Sequence, residues 1–116
     1  VHEWEKVKAM KAKVVVQDPR TSETTVVVGE LPITIGRAKG ATVRLKDTWV
    51  SRNHCRIEQD GDKLVVHDLG SKHGTLVNRN PVKDSDLNPN DEIMVGFTSL
   101  WASLCTGSSS SPIVAT

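Results

Sequence analysis

Turn-forming residues interrupt this chain every few positions, and that spacing limits the fold more than any other feature. Asp18-Pro19-Arg20, Gly29, Gly36, Asp60-Gly61-Asp62, Gly70 to Gly74 and Asn88-Pro89-Asn90 leave mostly short segments between them. These segments alternate apolar and polar residues with the two-residue period of a strand that has one buried face. Segments 11–17, 24–28, 33–35, 43–45, 52–59, 64–69, 75–78, 92–95 and 98–104 read as strands, with a brief pairing at 82–83. Sixteen valines, one Phe and no Tyr support this, because branched side chains are stiff in a helix and fit a pleated surface. No long helical period appears. The expectation is an all-β chain: an antiparallel β-sandwich of about ten to eleven short strands.

A length of 116 residues suits one domain with a real core. Residues 1–10 set Trp4 and Val7 among Glu and Lys and read as a lead-in or added segment; 11–105 read as the domain. Residues 106–116 hold four consecutive serines and then a proline, and read as a Ser-rich tail or linker. No apolar run approaches the roughly 20 residues of a membrane helix, and no secretory signal precedes the domain. Cys55 and Cys105 are too few and too far apart for a disulfide framework, which favours an intracellular setting.

Net charge is only +1, but its distribution is uneven. Residues 1–35 carry five basic and five acidic side chains, 36–79 nine basic and five acidic (+4), and 80–116 one basic and four acidic (−3). The positive segment contains three polar turns: Gly36 to Gly40, Ser51 to Asn53, and Gly70 to Gly74. Converging at one end of a sandwich, they would make an anion site. Arg37 is the best cation there, since a planar guanidinium can bond two oxygens at once. Ser51 supplies a hydroxyl donor, Arg52 further donors, and Lys72 a second charge from the facing loop.

Other chemistries fit less well. Ser51, His54 and Asp68 are the residue types of a hydrolytic triad, yet no Gly-x-Ser-x-Gly turn or substitute accompanies them. His54, Cys55, His67, His73 and Cys105 show no metal-ligand spacing, and adjacent His54 and Cys55 would face opposite sides of a strand. Basic loops without an aromatic stacking platform argue against nucleic acid. The expectation is a non-enzymatic module with no cofactor and no metal.

Gly36-Arg37, then Ser51-x-x-His54, then Gly74-Thr75-x-x-Asn78 resemble, in order and spacing, the motifs of the forkhead-associated (FHA) domain. The motifs cover 36–78, and the strand pattern extends the likeness over 11–105. The resemblance implies an eleven-stranded sandwich whose loops at one end bind phosphothreonine peptides, and hence a threonine-phosphorylated protein partner. It implies that Arg37, Ser51, Arg52 and Lys72 line the phosphate pocket, and that Asn78 bonds the peptide backbone. His73 stands where many members have another asparagine, and the resemblance counts it among the peptide-binding residues. His54 matches a histidine that braces the loops from beneath, with Gly36, Gly74 and Thr75 shaping them. Arg79 stands where the family usually has glycine, so the turn is expected from Asn80-Pro81, with Arg79 adding charge at the rim. Trp49, in the loop before Ser51, is either a packing residue or a contact that sets selectivity, with Asp47 nearby to repel acids. The resemblance leaves cytoplasm, nucleus and plastid open, and is compatible with membership of a longer polypeptide. The alternatives are anion or nucleic-acid binding through the basic loops, or a domain of this fold that binds partners without phosphate.

Overall fold

The computed structural model describes residues 11–105; the segments expected at 1–10 and 106–116 lie outside the described residues. Eleven strands follow in order: β1 (Lys11–Gln17), β2 (Thr24–Glu30), β3 (Ile33–Gly36), β4 (Val43–Arg44), β5 (Cys55–Asp60), β6 (Lys63–Asp68), β7 (Thr75–Val77), β8 (Asn80–Val82), β9 (Asp84–Leu87), β10 (Ile93–Val95) and β11 (Thr98–Cys105). One sheet has six strands in the order β2-β1-β11-β10-β7-β8, and the other five in the order β4-β3-β5-β6-β9. Pairing is antiparallel except for β3 with β4, which run parallel through Ile35–Val43 and Gly36–Arg44.

Alternation decides which side chains go inside. Ala12, Val14 and Val16 of β1 and Leu100 and Ala102 of β11 are buried from the first sheet. Ile33, Ile35, Ile57, Leu64 and Val66 meet them from the second. The core is almost wholly branched aliphatic, and burying each such side chain is worth roughly 1.5–3 kcal/mol.

Three sequence expectations change. The strand expected from Arg52 begins at Cys55, because Ser51 and Arg52 turn their carbonyls to the backbone N–H groups of Arg37 and Ala38 (3.0 and 3.2 Å). A further strand, β9, was not expected, since Asp-Ser-Asp-Leu looks like a polar loop; it pairs with β6 from Leu64–Leu87 to His67–Asp84. Finally, Asn80-Pro81 do not make the turn after β7. They lie in β8, and the turn is Asn78-Arg79 itself, both with left-handed φ (51° and 70°). That is the geometry of a two-residue hairpin with positive φ at both central positions, which favours Asn at the first and here accepts Arg at the second.

Strand directions gather the informative loops at one end. Cys55 at the start of β5 pairs with Ile35 near the end of β3 and with Asp68 at the end of β6. Across the sandwich, Thr75 at the start of β7 pairs with Val95 at the end of β10. The loops after β3, before β5, after β6 and after β10 therefore meet at this end.

Candidate anion-binding site

His54 stands at the centre of the loop end and is fully buried. Its backbone N–H donates to the Ile35 carbonyl (3.0 Å), and its own carbonyl accepts from Leu69 N–H (2.9 Å). Its ring accepts from Ser51 N–H at Nδ1 (3.0 Å) and lies 2.8 Å from the Gly74 carbonyl at Nε2. A backbone N–H only donates and a carbonyl only accepts, so Nε2 carries the proton. One side chain thus joins the loop before β5 to the loop after β6.

Gly36 works by close approach. A Cβ there would lie 2.0 Å from the Arg52 carbonyl oxygen, so any larger residue must push the Ser51–Arg52 backbone away. Gly74 is needed for a different reason, its left-handed φ of 86°. The two glycines hold the facing loops in place.

On this frame Arg37 is exposed, and its Nε donates to the Val50 carbonyl (2.8 Å), which holds the guanidinium beside the Ser51 loop. Ser51 Oγ accepts from Lys72 N–H (3.0 Å), so the hydroxyl proton stays available to a ligand. Arg52 lines the same small cavity as Arg37. Arg37, Ser51, Arg52 and Lys72 are therefore brought to one end, on the three loops after β3, before β5 and after β6. Among the described residues none of the three cations has a carboxylate within 4.0 Å, whereas Arg20, Arg56, Lys63 and Arg79 each do.

His73 and Trp49 meet beside this group. Their ring centroids are 4.3 Å apart, and Phe97, in the loop after β10, joins them at 5.6 Å from Trp49. Trp49 and Phe97 are about half exposed (47% and 54%), so the rings form an apolar shelf rather than a core. Phe97 was missed, because a single aromatic after a glycine gives no sign of which loop it will face.

Asp47 departs from expectation. Its carboxylate is buried and accepts from Trp49 N–H (2.9 Å) and Phe97 N–H (3.1 Å). It ties the two loops under the aromatic shelf, with each carboxylate oxygen engaged by a backbone N–H.

Asn78 also departs. Its amide Nδ2 donates to Asp91 and its Oδ1 accepts from Glu92 N–H, both at 3.0 Å. Four strand steps carry it about 13 Å from Gly74, to the opposite end of β7. Arg79 goes with it, 3.9 Å from Glu92. Neither joins the loops that carry Arg37 and Ser51; both belong to the far turn.

Asp68 is a loop support that sequence reasoning missed, having weighed it only as part of a triad it set aside. It accepts from Gly70 N–H, Ser71 N–H, Ser71 Oγ and Thr75 Oγ1 at 2.6–3.0 Å, and Ser71 Oγ in turn accepts from Gly74 N–H. Thr75, fully buried, is therefore a strut of the Lys72 loop. The readable signal was an Asp two and three residues ahead of Gly70 and Ser71 in a loop, where aspartate bonds the backbone just downstream. Burial pushes the Asp68 carboxyl up, but the bonds from Ser71 and Thr75 with those from the loop backbone prevail and hold it below the usual carboxylate value. Its stabilisation is thus complete above the unfolded value, near about pH 4, and is lost as pH falls through the lower folded one. Asp68→Asn would set an amide N–H₂ against donors it cannot accept from, costing about 1–3 kcal/mol. Thermal melts from pH 7 to pH 2.5 should show the gap between parent and variant closing at the acid end; a constant gap would contradict the assignment.

Residues 33–96 match the sequence profile of the FHA domain. This chain belongs to the FHA family. Over 66 residues it is 42% identical to the FHA domain-containing protein FhaA of Mycobacterium tuberculosis, a match that takes in 57% of this chain and 12% of that protein. A solved FHA structure from a study of phosphothreonine-dependent FHA interactions is 35% identical with a TM-score of 0.66, covering 80% of this chain and 97% of that one. The FhaA FHA domain, solved in complex with the intracellular domain of Rv3910, is 37% identical with a TM-score of 0.65, covering 77% and 98%. The FHA domain here therefore spans about one eighth of its FhaA relative. Among its described residues, no helix is long and apolar enough to cross a membrane.

Proposed function

We propose that this FHA domain is a non-catalytic, intracellular recognition module for phosphothreonine peptides, recruiting a threonine-phosphorylated protein to whatever longer chain contains it. Arg37 and Lys72 supply charge, Ser51 its free hydroxyl proton, and Arg52 donors at the rim. The observation that carries this reading is the Ser51 hydroxyl, held by Lys72 N–H at the end that gathers Arg37, Arg52 and Lys72, three cations with no carboxylate within 4.0 Å among the described residues. A phosphothreonine, near −2 at neutral pH with three acceptor oxygens, is the complement of that arrangement.

Geometry speaks against the hydrolytic alternative. His54 meets the backbone N–H of Ser51 rather than its hydroxyl, and Asp68 bonds Ser71 and Thr75. Both ring nitrogens of His54 are engaged by backbone, which supports a bracing role over that of a general base.

Beyond the phosphate, the Trp49–His73–Phe97 shelf favours an apolar peptide residue. An oriented phosphothreonine peptide library should select an aliphatic or aromatic residue over aspartate at the third position after the phosphate. With Trp49→Ala the preference should weaken by several-fold, as befits about 1 kcal/mol of lost aromatic contact. Selection of aspartate by the parent, or an unchanged ranking in the variant, would assign Trp49 to packing alone. No selection of phosphothreonine at all would sink the proposal itself.

A further inference from the structure

The loop end carries more positive charge than one phosphate requires. A cavity of about 330 Å³ is lined by Arg37, Ala38, Lys39, Arg44 and Arg52, four cations with no carboxylate among them. Arg37 and Arg52 belong to the proposed phosphate seat; Lys39 and Arg44 extend it away from Ser51. Arg44 is fixed there, since its Nε donates to the Arg37 carbonyl (3.1 Å). Its terminal nitrogens find no acceptor among the described residues, and neither Lys39 nor Arg44 has a carboxylate within 4.0 Å there. A larger cavity of about 460 Å³ that Arg44 also lines mixes Asp18 and Glu23 with its cations, so of these two cavities the smaller is the one free of carboxylates. A phosphate of about −1.5 to −2 offsets two of the four charges. The remaining two define a second anionic position beside the first.

Building on the phosphothreonine reading, we infer that a second anionic side chain of the same peptide, a phosphoresidue or a carboxylate, binds against Lys39 and Arg44. An extended peptide brings same-face side chains about 7 Å apart, so a residue two positions from the phosphothreonine has the reach.

The test uses matched peptides carrying one phosphothreonine alone, or with a second phosphothreonine or an aspartate two residues before or after it. Each is titrated at two salt concentrations into the parent, Lys39→Gln and Lys39→Gln/Arg44→Gln. On the parent, a second phosphate on one side should tighten binding at least tenfold, with a steeper salt dependence. Aspartate at that site shows whether a carboxylate suffices. Lys39→Gln, at an exposed loop tip, should lose part of this gain, and the double variant nearly all of it. The single variant keeps the test valid should the double variant misfold. A gain below twofold at both positions, a gain unaltered in the variants, or equal competition by single-stranded DNA of the same charge would overturn the inference. If the singly phosphorylated peptide itself fails to bind the parent, the phosphothreonine reading has failed; if it binds and the second anion adds nothing, only the second position has.

Discussion

Replacing Arg37 with alanine is expected to weaken phosphothreonine-peptide binding by roughly a hundredfold or more, since each charge-assisted bond it makes to phosphate is worth about 1.5–3 kcal/mol. Stability should change little. The side chain is exposed, and its hydrogen bond to protein among the described residues is the Nε bond to the Val50 carbonyl, worth about 1 kcal/mol. Arg37→Lys should recover only part of the loss, because an ammonium keeps the charge without the planar fork. Calorimetric titration of both variants beside a thermal melt separates affinity from folding. Unaltered affinity in Arg37→Ala would end the assignment of this residue to the phosphate.

His54→Ala should behave in the opposite way, damaging the fold first. It empties a fully buried site and strands the Ser51 N–H and the Gly74 carbonyl. Two unsatisfied groups and a cavity together cost roughly 3–5 kcal/mol, a large share of the 5–15 kcal/mol typical of a whole domain. Binding falls with it, because the two loops lose their tie. Denaturant titration reads the first effect and peptide titration the second. A variant that melts like the parent yet no longer binds would make His54 a ligand contact instead of a brace.

Much of this was legible in the chain before any coordinates. Strict alternation exposed the buried strands β1, β5, β6 and β11, and the three polar turns marked the loops that meet at one end. What was hidden lay where local pattern and tertiary use diverge. β9 reads as a polar loop and becomes a strand only because the edge of β6 offers it partners. Asp47, Asp68 and Asn78 look like surface polar residues, yet each is engaged by backbone or side-chain groups that only the folded chain brings near. Position relative to a motif placed Asn78 at the ligand end; three intervening strand residues put it at the other. The charge excess of segment 36–79 was visible, but not that Lys39 and Arg44 would share a cavity with Arg37.

The most direct measurement is titration of the domain with three peptides identical except at one residue: phosphothreonine, phosphoserine and unmodified threonine. Phosphothreonine should bind, threonine should give no detectable heat, and phosphoserine should bind several-fold more weakly, since a lost buried methyl is worth roughly 1 kcal/mol. Equal binding of the phosphothreonine and threonine peptides would contradict phosphate recognition at this end of the sandwich.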